Sequence, residues 1–155
     1  MDAVFVSLIA VAGTLLGSFS TYLFQRRTAL HTEAAARRER LRQDRLAACA
    51  GYAAAVTEVR RAVVTAWFRR DVRDDEWRAA MTEADRLGAA AEAALVRLLL
   101  LCDDEELRRC ADVLSAQLGV LRAAEDLPGL QEREAAFTAA RAAFVDAARR
   151  VVGHG

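Results

Sequence analysis

A chain of 155 residues with 35 Ala, 22 Arg, no Lys and a single Pro has room for one small domain and one extra element. Ala is a strong helix former and a poor strand former, so this composition excludes a β-rich, collagen-like or disulfide-built protein. Net charge is zero overall, yet residues 25–45 carry seven Arg against three acids, and residues 71–134 carry eight Arg against sixteen acids. Three irregularly spaced cysteines fit reduced, intracellular thiols.

The first element is the run Ala3 to Phe24, which contains no charged residue. Its twenty-two residues would make a helix of about 33 Å, against a bilayer core of about 30 Å. A transmembrane anchor over residues 1–24 is therefore predicted, with lipid as its partner. The run is too long for a signal-peptide core, Asp2 replaces the usual cation, and Arg26–Arg27 follow where cleavage would need small residues. Arg26, Arg27, Arg37, Arg38, Arg40, Arg42 and Arg45 all follow the span. The positive-inside bias then predicts a single-pass protein of the cell membrane, N-terminus outside and C-terminus cytoplasmic. These Arg have a topological or lipid-headgroup role in this reading. Ala3, Ser7, Ala10, Thr14, Gly17 and Thr21 repeat at 4-3 spacing, and Gly13 with Gly17 makes a GxxxG pair. Small faces allow close helix approach in lipid, which points to a homo-oligomer assembled through the anchor.

Residues 25–45 form a basic juxtamembrane helical stalk, polar on all sides except for a thin stripe of Leu30, Ala34 and Leu41. Such a helix is a solvated spacer or the seam of a coiled coil. Residues 46–155 then show four apolar stripes of helical period. Cys49, Tyr52, Val56, Val59, Val63 and Ala66 form the first, and Trp77, Met81, Ala84, Gly88, Ala91, Leu95 and Leu98 the second, with the Leu98–Leu101 run expected to bury its end. The third stripe comprises Leu107, Cys110, Leu114, Gln117 and Leu121, and the fourth Phe137, Ala140, Phe144, Ala147 and Val151. Helices are expected over 46–70, 76–102, 104–126 and 130–152. An aspartate at 74 or 75 would cap the second, Asp103 with Glu106 would form a capping box for the third, and Pro128–Gly129 would end it. Short connections imply antiparallel neighbours. The predicted fold is all-α: one transmembrane helix continuing into a cytoplasmic antiparallel four-helix bundle.

No catalytic constellation is present in the sequence, and no cofactor or metal is expected. His31 sits on the stalk and His154 at the other end, and there is no HExxH, CxxC, phosphate loop or nucleophile elbow. Cys102 and Cys110 read as core residues rather than ligands. The acids at 103–106 read as a helix start. Nucleic acid is not expected as a partner, because Glu33, Glu39 and Asp44 interrupt the Arg cluster and no aromatic residues alternate with it.

The stretches VAGTLLGSFSTYLFQRR and RLAACAGYAAAVTEVRRAVVTAWFRRD, at residues 11–27 and 46–71, resemble the KilB-type small membrane proteins of Streptomyces. The resemblance implies a membrane protein assisting conjugative plasmid spread, with no catalytic residues to carry over; joined to the reading of the residues above, it gives the expectation of a membrane-anchored, non-catalytic helical interaction protein. Two other readings stay open. One is a membrane-tethered regulatory adaptor recruiting an unidentified soluble protein through its acidic bundle. The other is a toxin-like protein that perturbs the membrane when overproduced.

Overall fold

The computed structural model describes residues 2–71 and 74–153, with side chains from Glu33 onward. It contains α1 (Asp2–Arg69), α2 (Asp74–Leu101), α3 (Glu105–Arg122) and α4 (Leu127–Gly153), and no strand among the described residues. Two compact units are present, Met1–Leu41 and Arg42–Gly155. In the second unit α1 runs without interruption through Gly51, which is exposed and would accept a Cβ without contact. Gly costs a helix about 1 kcal/mol relative to Ala, and the Ala-rich flanks carry it.

Cross-helix contacts fix the direction of each helix. Tyr52 of α1 donates its hydroxyl to the Ala111 carbonyl at 2.9 Å, and Trp67 Nε1 donates to the Ala124 carbonyl at 2.8 Å. Helices α1 and α3 therefore rise together. Arg60 pairs with Glu134 at 2.5 Å, while the Tyr52 ring meets Phe144 edge-on with centroids 5.2 Å apart, so α4 runs opposite to α1. Arg45 Nε reaches the Leu101 carbonyl at 3.1 Å, and Trp67 and Trp77 line one cleft, so α2 also runs opposite to α1. This is the up-down-up-down arrangement expected of short connections. Its Arg42 end carries the α2–α3 connection and the end of α4; its Trp67 end carries the other two connections.

The predicted stripe on α1 is buried throughout, from Cys49 to Ala66, with none of the six more than 4% exposed. Leu98, Leu107, Leu114, Leu121, Leu130, Phe137 and Phe144 complete the centre. Each such burial removes apolar area worth roughly 1.5–3 kcal/mol. One buried hydroxyl interrupts the apolar interior, and it is satisfied: Tyr52 also shares a hydrogen bond with Ser115 Oγ at 2.7 Å.

Four local expectations are corrected. Leu98 is buried but Leu100 is 81% exposed, because consecutive helical residues point 100° apart and four leucines in a row cannot all face inward. Trp77 is 39% exposed at the rim of a cleft instead of filling the core. The cap of α3 is Asp104, in extended conformation, accepting from Leu107 N–H at 2.7 Å; Asp103 lies one residue too early to reach that amide. Helix α3 ends at Arg122, and Pro128 lies in the first turn of α4, where its missing N–H costs nothing. Asp126 caps that turn by accepting from Gly129 N–H at 2.8 Å.

Candidate interaction surfaces

The residues singled out from sequence distribute unevenly. Ser7, Ala10, Gly13, Thr14, Gly17 and Thr21, with Arg26 and Arg27, lie outside the residues whose side chains are described, as do Leu30 and His31. Arg37, Arg38, Arg40 and Arg42 are exposed on α1. Arg45 is half-buried, and its bond to the Leu101 carbonyl serves a structural purpose: it satisfies one of the orphan acceptors that end α2 and places a cation at a helix C-terminus. Among the described residues, no helix is long and apolar enough to cross a membrane, a statement that does not extend to the side chains of Ala3–Phe24.

The thiols are structural in their surroundings. Cys49 and Cys102 are buried, and Cys110 is half-buried with its Sγ 3.8 Å from Glu106 Oε1. Burial pushes the Cys49 thiol up to about 12, helped by the adjacent Cys102, to which it donates. Burial also raises Cys102, although the bond it receives from Cys49 and the nearby Arg45 act in the other direction. High-pKa buried thiols are poor nucleophiles and poor metal ligands. Among the described residues no cluster of three or more His, Cys, Asp or Glu is arranged for a metal ion.

Two concave surfaces stand out. At the Trp67 end, a cleft of about 440 Å³ is lined by Trp67, Arg70, Trp77, Met81 and Arg122. Its polar groups are already engaged: Arg70 lies over the Trp67 ring at 4.0 Å and also contacts Asp71, while Arg122 is bonded to Asp85 at 2.6 Å. At the Arg42 end, a groove of about 480 Å³ runs between α1 and α4. Leu46, Ala50 and Ala53 form one wall, Val145, Ala148 and Val152 the other, and Arg42 and Arg149 flank it. Sequence reading did not find this groove, since its walls are about a hundred residues apart in the chain. Leu46, Ala50 and Ala53 do repeat at 4-3 spacing beside the core stripe, and that second stripe was the available signal.

Some acids of the 71–134 region are paired with neighbouring Arg. Asp74 pairs with Arg78, Glu83 with Arg86, Asp85 with Arg122 and Glu106 with Arg109. Asp103 and Glu105, at the α2–α3 connection, are exposed and make no ion pair.

A family model described as KilB plasmid transfer protein matches residues 46–152, which is most of the bundle. No curated protein and no solved structure matches the chain.

Proposed function

The chain belongs to the KilB plasmid transfer protein family, and from that membership we propose that it is a membrane-anchored, non-catalytic interaction protein whose bundle docks other proteins during plasmid transfer. The observation that carries this reading is the sequence order: twenty-two uncharged residues, then seven Arg within residues 25–45, then a bundle that closes its own core. An anchor restricts the bundle to one surface, and restriction raises the effective concentration of each copy for its neighbours without any new contact. Among the described residues the interior is apolar apart from the Tyr52 hydroxyl, committed to Ala111 and Ser115, and the buried Arg60 Nε. The adaptor reading rests on the acidic excess over residues 71–134. It is the weaker of the two, because family membership points to plasmid transfer and an acidic surface also serves plain solubility.

Topology is tested with cysteines placed where they can react. The native thiols are poor reporters, since Cys49 and Cys102 are 4% and 3% exposed and would resist labelling from either side. Gly119 is exposed, and a side chain there meets nothing within 4 Å. Asp2→Cys should react with an impermeant maleimide in intact cells, and Gly119→Cys only after permeabilisation. Labelling of Gly119→Cys from outside would reverse the orientation, and recovery of the protein away from membranes would remove the anchor.

Assembly within the anchor has its own test. Positions 3, 7, 10, 14, 17 and 21 continue at 3.5-residue period to 24, 28 and 31, not to the Leu30, Ala34 and Leu41 stripe. Close packing is therefore expected in the span and looser association beyond it, where seven Arg per copy repel. Disulfide trapping in native membranes should occur with Gly13→Cys or Gly17→Cys and not with Ile9→Cys or Leu16→Cys. Equal trapping at all four positions, or at none, would leave the span as an anchor alone.

A further inference from the structure

The two buried cysteines meet each other. Cys49 and Cys102 belong to the same core cluster, 4% and 3% exposed, and the Cys49 thiol donates a hydrogen bond to the Cys102 sulfur. Their encounter follows from the register of the helices. Arg45 and Cys49 lie one turn apart on one face of α1. Arg45 Nε holds the Leu101 carbonyl at 3.1 Å, and that carbonyl is joined directly to the Cys102 nitrogen. The turn of α1 from Arg45 to Cys49 is therefore laid against the end of α2, which brings the two sulfurs together.

The two positions differ in backbone freedom. Cys49 is fixed in the interior of a helix. Cys102 follows the last residue of α2, with its N–H bonded to the Leu98 carbonyl at 2.9 Å, and opens the non-helical connection 102–104 that leads into α3. A disulfide needs Cβ atoms about 4 Å apart and a torsion near 90° about the sulfur–sulfur bond. Sulfurs already in hydrogen-bond contact are close to that requirement, and the connection can supply the remaining adjustment. A route inward exists as well, since Cys49 lines the α1–α4 groove. Cys110 stands outside this arrangement, half-buried with its Sγ toward Glu106.

We propose that Cys49 and Cys102 are a reversible disulfide pair, oxidised by hydrogen peroxide, that clasps α1 to the α2–α3 connection. Burial raises both thiols, but at Cys102 the hydrogen bond from Cys49 and the nearby Arg45 oppose it, so Cys102 loses its proton first. Its sulfur attacks one peroxide oxygen, the O–O bond breaks, and the departing hydroxide takes up that proton as water. The Cys49 sulfur then attacks the sulfenic sulfur of Cys102, the S–O bond breaks, and hydroxide leaves with the Cys49 proton as a second water. Two thiols have lost two electrons, and one peroxide has become two waters. A dithiol reductant reverses the change by exchange. Buried thiols react slowly, which suits a clasp set by sustained oxidation. The link closes the loop from residue 49 to residue 102 and so restricts the unfolded chain, which stabilises the bundle. The clasp needs neither an anchor nor a partner.

The test uses the full, unsubstituted chain, treated with hydrogen peroxide while folded and then unfolded in an alkylating reagent. The alkylated thiols should fall from three to one, the intact mass should drop by two hydrogens before alkylation, and protease digestion should yield a linked peptide pair carrying Cys49 and Cys102. Dithiothreitol should restore all three thiols. The oxidised chain should melt about 10 °C above the reduced one. Cys110→Ala should keep that difference, and Cys49→Ala and Cys102→Ala should each lose it. Because the thiol count and the linked peptides are read from the unsubstituted chain, a variant that folds poorly does not blunt the test. Three alkylated thiols after peroxide, a link that includes Cys110 or joins two chains, sulfinic acid in place of a link, or a Cys49–Cys102 link without a melting shift would each overturn the proposal.

Discussion

Leu114→Asp should abolish cooperative thermal melting of a fragment comprising residues 42–155, the second compact unit. Leu114 is 0% exposed in the middle of α3, flanked within the core by Leu107, Ala111 and Leu121 of the same helix. Removing a buried leucine side chain costs roughly 2–5 kcal/mol before any charge is considered. An aspartate placed there must also lose its hydration or take up a proton at neutral pH, which adds several kcal/mol. The sum is comparable to the whole stability of a small domain, about 5–15 kcal/mol. Circular dichroism should show a broad, low-temperature loss of helix in the variant and a sharp transition in the parent. As a control, Val113→Asp changes the neighbouring residue, which is 49% exposed, and should melt close to the parent. A variant at 114 that melts like the parent would refute the core described above.

Alkaline pH should destabilise the bundle in a window set mainly by Cys49. Its thiol is raised from 9.0 to about 12 in the folded protein by burial first and by Cys102 second. The unfolded chain releases that proton above pH 9 while the folded chain holds it, so stability is complete below pH 9 and falls as the pH rises toward 12. One pH unit inside the window corresponds to about 1.4 kcal/mol, so the step from pH 9 to pH 11 should cost roughly 2–3 kcal/mol. Urea unfolding at a series of pH values measures this directly. Cys49→Ala should start lower at pH 8, having lost a buried side chain, yet decline less steeply above pH 9. Some slope should persist, because burial also raises Cys102 and Tyr52. Parallel curves for parent and variant would assign the alkaline loss elsewhere.

Most of the architecture could be read from residues at helical spacing. The stripe from Cys49 to Ala66 needs one side covered, and the structure covers it with α2, α3 and α4. The errors occur where two local preferences compete. Pro128 reads equally well as the end of one helix or the start of the next, and the decision falls to Asp126, whose carboxylate reaches the Gly129 amide. The leucine run at 98–101 obscured its own periodicity, since uniform apolarity carries no phase. Arg45 also has a structural bond that charge counting does not reveal, because its acceptor, the Leu101 carbonyl, lies across the bundle. The groove between α1 and α4 was beyond sequence reading for a different reason. Its apolarity belongs to a surface that exists only once Leu46 and Val152 have been brought side by side.

The direction of the helices has a mechanical consequence. Because α4 runs opposite to α1, the bundle's first residues near Arg42 and its last near Gly153 emerge at the same end. A pull applied between those two points would not shear the α1–α4 interface along its length. It would peel the helices apart from the open end, taking Val152 and Leu46 first, then Phe144 and Tyr52, then Glu134 and Arg60. Unzipping loads one layer at a time and yields at low force, whereas shear loads every layer together. The bundle is thus compliant under tension at its Arg42 end, with its early layers able to part and rejoin while the Trp67–Ala124 clasp at the opposite end still holds.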